Sequence, residues 1–183
     1  MNKTPLLNIY ENILTPEEHE TCDNALRGFG WRFGFKSDVN DNITPLPKKA
    51  NYDDGNIPFW KLPLHEDPFF TQHMFNMIEQ RTEMKFEILE VYCNGQTYGQ
   101  DGHPHIDNVW GETHTFLYYA NKDWNLTWGG QTVFLVDGKR IGIDPYPNRA
   151  ILFSTDLLHY GEAYNQFCRD LRMTVCYKLK ELV

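Results

Sequence analysis

The chain has 183 residues, 41% of them hydrophobic and 23% charged, with a formal net charge of −8. A single domain of this length buries about 70% of the surface its unfolded chain exposes, so no staple of disulfides or metal is needed to stabilise it. The acidic balance and the lack of any basic stripe exclude a protein that binds phosphate backbones, which takes clustered Lys and Arg.

The 15% aromatic share suits a β-rich core around a ringed pocket. The four cysteines (Cys22, Cys93, Cys168, Cys176) are scattered without a CxxC and read as reduced thiols. The opening "MNKTPLLNIYENILTPEEHE" has too short an apolar run and too many acids for a signal peptide. No run is long enough to span a bilayer. The expectation is a cytoplasmic protein with no membrane partner.

Along the chain, "ILTPEEHETCDNALRGFGW" carries a helix start: Thr15 as N-cap, Pro16 at N1, and Glu17 and Glu18 in the first turn. That helix is expected to run to about Arg27 and stop at Gly28. Ser37 to Trp60, polar and punctuated by Pro, Gly, Asn and Asp, reads as a long irregular segment, the best candidate for a lid over a site. "DPFFTQHMFNMIEQRTEM" spaces Phe69, Phe70, Met74, Phe75 and Met77 as a second helix does.

From Phe86 the period changes. "FEILEVY", "GHPHID", "THTFLYYA", "QTVFLV", "RIGID", "RAILFS", "LLHYG" and "LRMTVCYKL" are short extended runs separated by turn signals. Helices first and strands afterwards predict a mainly β fold with flanking helices, an antiparallel sandwich or barrel. The expected organisation is one domain over 1–183, with helical support over about 1–85 and a β core over about 86–180.

In "GHPHIDN" an extended backbone puts His103, His105 and Asp107 on one face. His105-x-Asp107 alone is a weak signal, also read as hydrogen-bonded surface residues. His159, in "FSTDLLHYG", is a third ligand that a facing sheet can supply. Two His and one carboxylate leave open positions on a metal, as in non-haem Fe(II) oxygenases, and zinc hydrolases use the same donors. On the last run Leu171, Met173, Val175 and Tyr177 share one face, while Arg172, Thr174 and Cys176 share the other. If the apolar face packs under the helices, Arg172 points into the barrel and needs an anion, either a dicarboxylate ligand or an internal Asp or Glu.

Together, "GHPHIDN", "THTFLYYANKDWNLTWGGQTVFL", "PNRAILFSTDLLHYGEA" and "LRMTVCYKL" resemble the prolyl 4-hydroxylase-like branch of the 2-oxoglutarate/Fe(II)-dependent dioxygenases. The resemblance runs from Tyr92 to the end and implies a double-stranded β-helix, or jelly roll (cupin-like). It implies that His105, Asp107 and His159 ligate Fe(II), and that Arg172 holds the distal carboxylate of 2-oxoglutarate with Tyr119 and Thr174 beside it. Tyr92 is a further candidate for touching co-substrate or substrate, against a plain packing role. The interval from His159 to Arg172 is longer than the family's usual one, which would land on Arg169. Arg172 is preferred because it begins the strand with an inward Thr two places on. His103 reads as a solvent-facing structural histidine or a substrate contact at the mouth.

The implied activity is hydroxylation of a peptidyl proline by dioxygen, with 2-oxoglutarate decarboxylated to succinate and CO2 and ascorbate a candidate reductant. Alternatives are a free amino acid or other small-molecule substrate, or a jelly roll that binds metal without oxygenase activity. Trp124 and Trp128 are expected either to shield the metal or to pack. The assembly is expected to be a monomer or homodimer.

Overall fold

Thr15 starts the first helix in both senses of a capping box. Its hydroxyl accepts from the Glu18 amide at 3.2 Å, its own amide donates to the Glu18 carboxylate at 2.8 Å, and α1 spans Pro16–Leu26 with Pro16 in its first turn. The computed structural model describes residues 6–37, 57–107 and 113–182. Thr15→Ala is expected to cost about 1 kcal/mol, a fall of about 2–4 °C in the midpoint of a thermal melt followed by circular dichroism. An unchanged midpoint would mean that the box adds nothing to α1.

The second predicted helix opens as a π-helical turn, Phe69–Met74, and continues as α2, Phe75–Thr82, ending at Glu83 with φ 57°. Phe70, Met74 and Ile78 recur four apart and are all fully buried.

The described residues form ten strands: β1 (Leu7–Tyr10), β2 (Arg32–Phe35), β3 (Phe59–Pro63), β4 (Phe86–Gln96), β5 (His114–Tyr119), β6 (Thr132–Val136), β7 (Lys139–Ile143), β8 (Ala150–Ser154), β9 (His159–Gly161) and β10 (Arg172–Glu181). Seven form one sheet, β1-β8-β5-β10-β4-β3-β2, and three form a second, β7-β6-β9. Their pairings are antiparallel, the jelly-roll arrangement expected.

Three differences from the sequence reading have physical causes. The N-terminal part is not only helical, because β1, β2 and β3 are laid on the two flanks of the large sheet. Each is short, and β2 is exposed at all four positions, so none shows the alternation that marks a half-buried strand. "GHPHID" is not a strand: only His105 pairs, in an isolated bridge to His159. The next bond to β9 comes from the Gly102 amide, not that of His103, to the Gly161 carbonyl at 2.7 Å, so the register is broken and no ladder forms. Most of the lid candidate, 38–56, and the turn at 108–112 lie outside the described residues.

The last strand divides the interior. Met173, Val175, Tyr177 and Leu179 pack with Leu26, Phe70, Met74 and Ile78 in the core beneath the helices. The Tyr177 hydroxyl donates to the Phe70 carbonyl at 2.8 Å, tying β10 to the π-helical turn. The other face of β10 meets the small sheet, where Leu117, Phe134, Ile151, Phe153 and Leu157 form a second core beside Cys176. Between the sheets lies a cavity. No described helix is long and apolar enough to cross a membrane.

Candidate active site

Backbone hydrogen bonds bring the His/Asp/His set together. His105 and His159 exchange both amide bonds at 3.0 Å, and the Asp107 amide donates to the Thr155 carbonyl at 3.0 Å. One donor atom from each of His105, Asp107 and His159 lies within 4.8 Å of the other two. The His105 Nε2 is 3.5 Å from Asp107 Oδ1, and the His159 Nε2 is 3.6 Å from Asp107 Oδ2. Donors that share one ion at about 2.1 Å stand roughly 3–4 Å apart, so these two separations fit a common metal.

Each ring is turned by its other nitrogen. His105 Nδ1 is 2.8 Å from the His103 carbonyl and His159 Nδ1 is 2.9 Å from the Leu157 carbonyl, so both Nδ1 atoms donate to the backbone and both Nε2 atoms face Asp107. His159 is wedged against Phe134 and Phe153, with ring centroids 5.7 and 4.6 Å away. That burial pulls its pKa down to about 4, so the ring is a neutral ligand at pH 7. Burial by itself would raise the Asp107 pKa, but the Lys178 ammonium and the two imidazoles outweigh it, and the carboxyl is held well below its usual range. Two neutral imidazoles and one carboxylate can hold Fe(II) on one face.

Arg172 lies on the wall of the same cavity, about 240 Å³ in volume. Its Nε donates to the Gly130 carbonyl at 2.7 Å, one terminal nitrogen to Gln96 Oε1 at 2.6 Å and the other to Thr132 Oγ1 at 3.2 Å. All three acceptors are neutral. Among the described residues no carboxylate pairs with this 2%-exposed guanidinium, which disfavours the reading of a structural Arg with an internal acid. Gly129 and Gly130, with φ of 77° and 82°, make the turn that presents the Gly130 carbonyl. A Cβ on Gly130 would stand 3.2 Å from the Arg172 side chain, so the close approach calls for glycine.

Arg169, the alternative, is exposed in the turn before β10. The extra residues between His159 and Arg172 form that turn, and Arg27 at the end of α1 fixes it by gripping Asp170 at 2.9 and 2.8 Å. The Tyr164 hydroxyl donates to the Asp170 carbonyl at 2.6 Å, so β10 begins with Arg172 inward.

The remaining predicted residues separate. Thr174 and Tyr92 line the cavity, and Lys61 Nζ lies 3.8 Å over the Tyr92 ring. Tyr119 stands behind the wall: its hydroxyl is 2.8 Å from Thr132 Oγ1 and its ring is 5.7 Å from the Arg172 guanidinium. Burial pushes its pKa up to about 12, so it stays neutral. It therefore supports Arg172 through Thr132, which does line the cavity. His103 is not on the wall; its carbonyl orients His105. Trp124 and Trp128 do not shield the triad. They pack with Tyr164 and Cys168 behind the glycine turn, because the Trp124 indole donates to the Gly129 carbonyl.

The wall residues not singled out from sequence include Gln96, Asn94, Thr132 and Lys178. Asn94 Oδ1 is buried with no hydrogen-bond partner among the described residues. β4 and β10 pair Gln96 with Arg172, Asn94 with Thr174 and Glu90 with Lys178, so the parity of Arg172 carried to its neighbours would have found three of the four.

Comparisons with known proteins bear on this geometry. The 2OG-Fe(II) oxygenase superfamily matches residues 90–176, which include the triad and Arg172. No curated protein matches the chain. Among solved structures, a Trichoplax adhaerens prolyl hydroxylase in complex with a peptide fragment of the hypoxia inducible factor oxygen degradation domain is 17% identical, with TM-score 0.67 over 96% of this chain and 83% of that one. The viral collagen prolyl hydroxylase from Paramecium bursaria Chlorella virus-1, solved as a 2OG complex, is 14% identical with TM-score 0.60 over 97% and 96%. A non-haem alpha ketoglutarate-dependent epimerase from nogalamycin biosynthesis is 10% identical with TM-score 0.63 over 95% and 76%.

Proposed function

We propose that this chain, whose residues 90–176 match the 2OG-Fe(II) oxygenase superfamily, is a 2-oxoglutarate-dependent dioxygenase that hydroxylates a peptidyl proline. The observation that carries the assignment of roles is the shared cavity: a His/Asp/His set on one wall and a buried guanidinium without a carboxylate partner among the described residues on another.

His105, Asp107 and His159 would hold Fe(II), and Arg172, with Thr174 and Thr132 at its side, would hold the distal carboxylate of 2-oxoglutarate. When bound, the ion and co-substrate supply the activation of dioxygen that inserts oxygen into a substrate C–H bond, yielding succinate and CO2. The chain's own residues do the placing. The carbonyls of His103 and Leu157 keep the two Nε2 atoms turned inward. Gln96, the Gly130 carbonyl and Thr132 hold the guanidinium in a fixed plane, so little is lost in ordering it when an anion arrives. Leu117, Cys176 and Tyr92 line the space between and limit water.

Two observations support a peptide-like substrate. The fold resembles prolyl hydroxylases, one of them solved with a peptide. Asn94 Oδ1 is an acceptor on the wall that 2-oxoglutarate, with no donor at neutral pH, leaves for an N–H of the substrate. Phe35, Phe59 and Lys61 from the β2–β3 flank form the rim the chain would cross.

The test is 2-oxoglutarate turnover with Fe(II) against a panel of proline peptides and free amino acids. The expected result is a mass gain of one oxygen on a proline within a peptide, matched by succinate. A gain on a free amino acid alone would replace the peptide reading, and succinate without any gain would leave only the dioxygenase.

A further inference from the structure

Lys178 occupies a position that a metal site does not ask for. Its ammonium pairs with Asp107 Oδ2, the carboxylate oxygen that also faces His159 and accepts from the Thr115 hydroxyl at 2.6 Å. The lysine side chain is 12% exposed and its carboxylate partner 5%, so water screens this pair little. β10 carries it inward on the parity of Arg172, Thr174 and Cys176, just before a break in register between Lys178 and Leu179. A cation beside a buried carboxylate balances its charge in the metal-free site. The same cation is repelled by a divalent ion that takes Asp107.

We propose that Lys178 is an internal counter-ion that competes with the metal for Asp107, holding the carboxylate in the metal-free protein and yielding it when a divalent cation binds. The proposal rests on the reading of His105, Asp107 and His159 as the metal site. Once released, the ammonium has Glu90 directly opposite on β4, the carboxylate that now pairs with Lys61 at 2.5 Å.

Removing the charge has two linked effects of one sign. The metal-free protein loses the partner of a buried carboxylate and is destabilised. The metal-bound protein loses a repulsion, so affinity for the ion rises. A lysine that only positioned Asp107 for ligation would give the opposite result, because its loss would loosen the ligand and weaken binding.

The experiment is calorimetric titration of metal-free wild type, Lys178→Met, Lys178→Gln and Lys178→Arg with Mn(II), alongside thermal melts with and without the ion. The expected result is Mn(II) binding tighter by about tenfold or more in the Met variant, with a lower metal-free melting point and a larger shift on loading, while the Arg variant stays near wild type. Lys178→Gln keeps a hydrogen bond to Asp107 without the charge and is expected to tighten binding too, which preserves the test if the Met variant does not fold. Equal or weaker Mn(II) binding in the neutral variants overturns the competition. If wild type itself binds no Mn(II), the metal-site reading falls and this inference with it, a result separable from the previous one.

Discussion

Arg172→Ala is expected to weaken 2-oxoglutarate binding by about 1.5–3 kcal/mol, roughly ten- to a hundred-fold, with Arg169→Ala unchanged. The magnitude follows from the surroundings. The guanidinium donates to Gly130, Gln96 and Thr132, all neutral, so its charge is uncompensated among the described residues. Burial has already lowered its pKa from the ordinary value, a sign of how poorly the surroundings solvate the cation. A dicarboxylate arriving here gains charge-assisted bonds that no neutral ligand can replace. Titration of each variant with 2-oxoglutarate in the presence of Mn(II) measures the loss. Should Arg169→Ala carry the effect instead, the co-substrate does not lie along β10 as assigned.

Asp107→Ala is expected to abolish both metal binding and succinate formation. The substitution removes the one anionic donor of the set. It also strands the Lys178 ammonium in front of two imidazoles, where it repels any cation. Secondary structure should survive, because Asp107 lies outside the strands and its amide bond to the Thr155 carbonyl does not depend on the side chain. Metal content, succinate yield and far-ultraviolet circular dichroism on one preparation decide the matter. Turnover retained by this variant would take Asp107 out of the metal site.

These effects could be argued in outline from the chain alone because strand parity is a rigid rule. Once Met173, Val175 and Tyr177 face the helices, Arg172 must face the cavity, and it does. His105-x-Asp107 meets its distant histidine by another route, an isolated backbone bridge from His105 to His159 on the small sheet. What sequence hid depends on long-range contacts. Nothing near Asp170 shows that Arg27, on the first helix, fixes the turn and hence the start of β10. Lys178 shares the inward parity, but a lysine near the end of a strand ordinarily extends its head to water, and only the position of Asp107 explains its burial. The three N-terminal strands were illegible because their edges carry no alternating pattern and their partners lie elsewhere in the chain.

The mutual amide bonds of His105 and His159 have a further consequence. The bridge between His105 and His159 and a bond from the Gly102 amide to the Gly161 carbonyl at 2.7 Å join the stretch before 108 to the small sheet, and both imidazoles spring from that bridge. A cation gripped by them would act as a rivet through a thinly stitched seam, so loading the centre and ordering its surrounding backbone become one event. The empty protein would fray there ahead of its seven-stranded wall, and starvation for iron would register first as a local loosening of that seam.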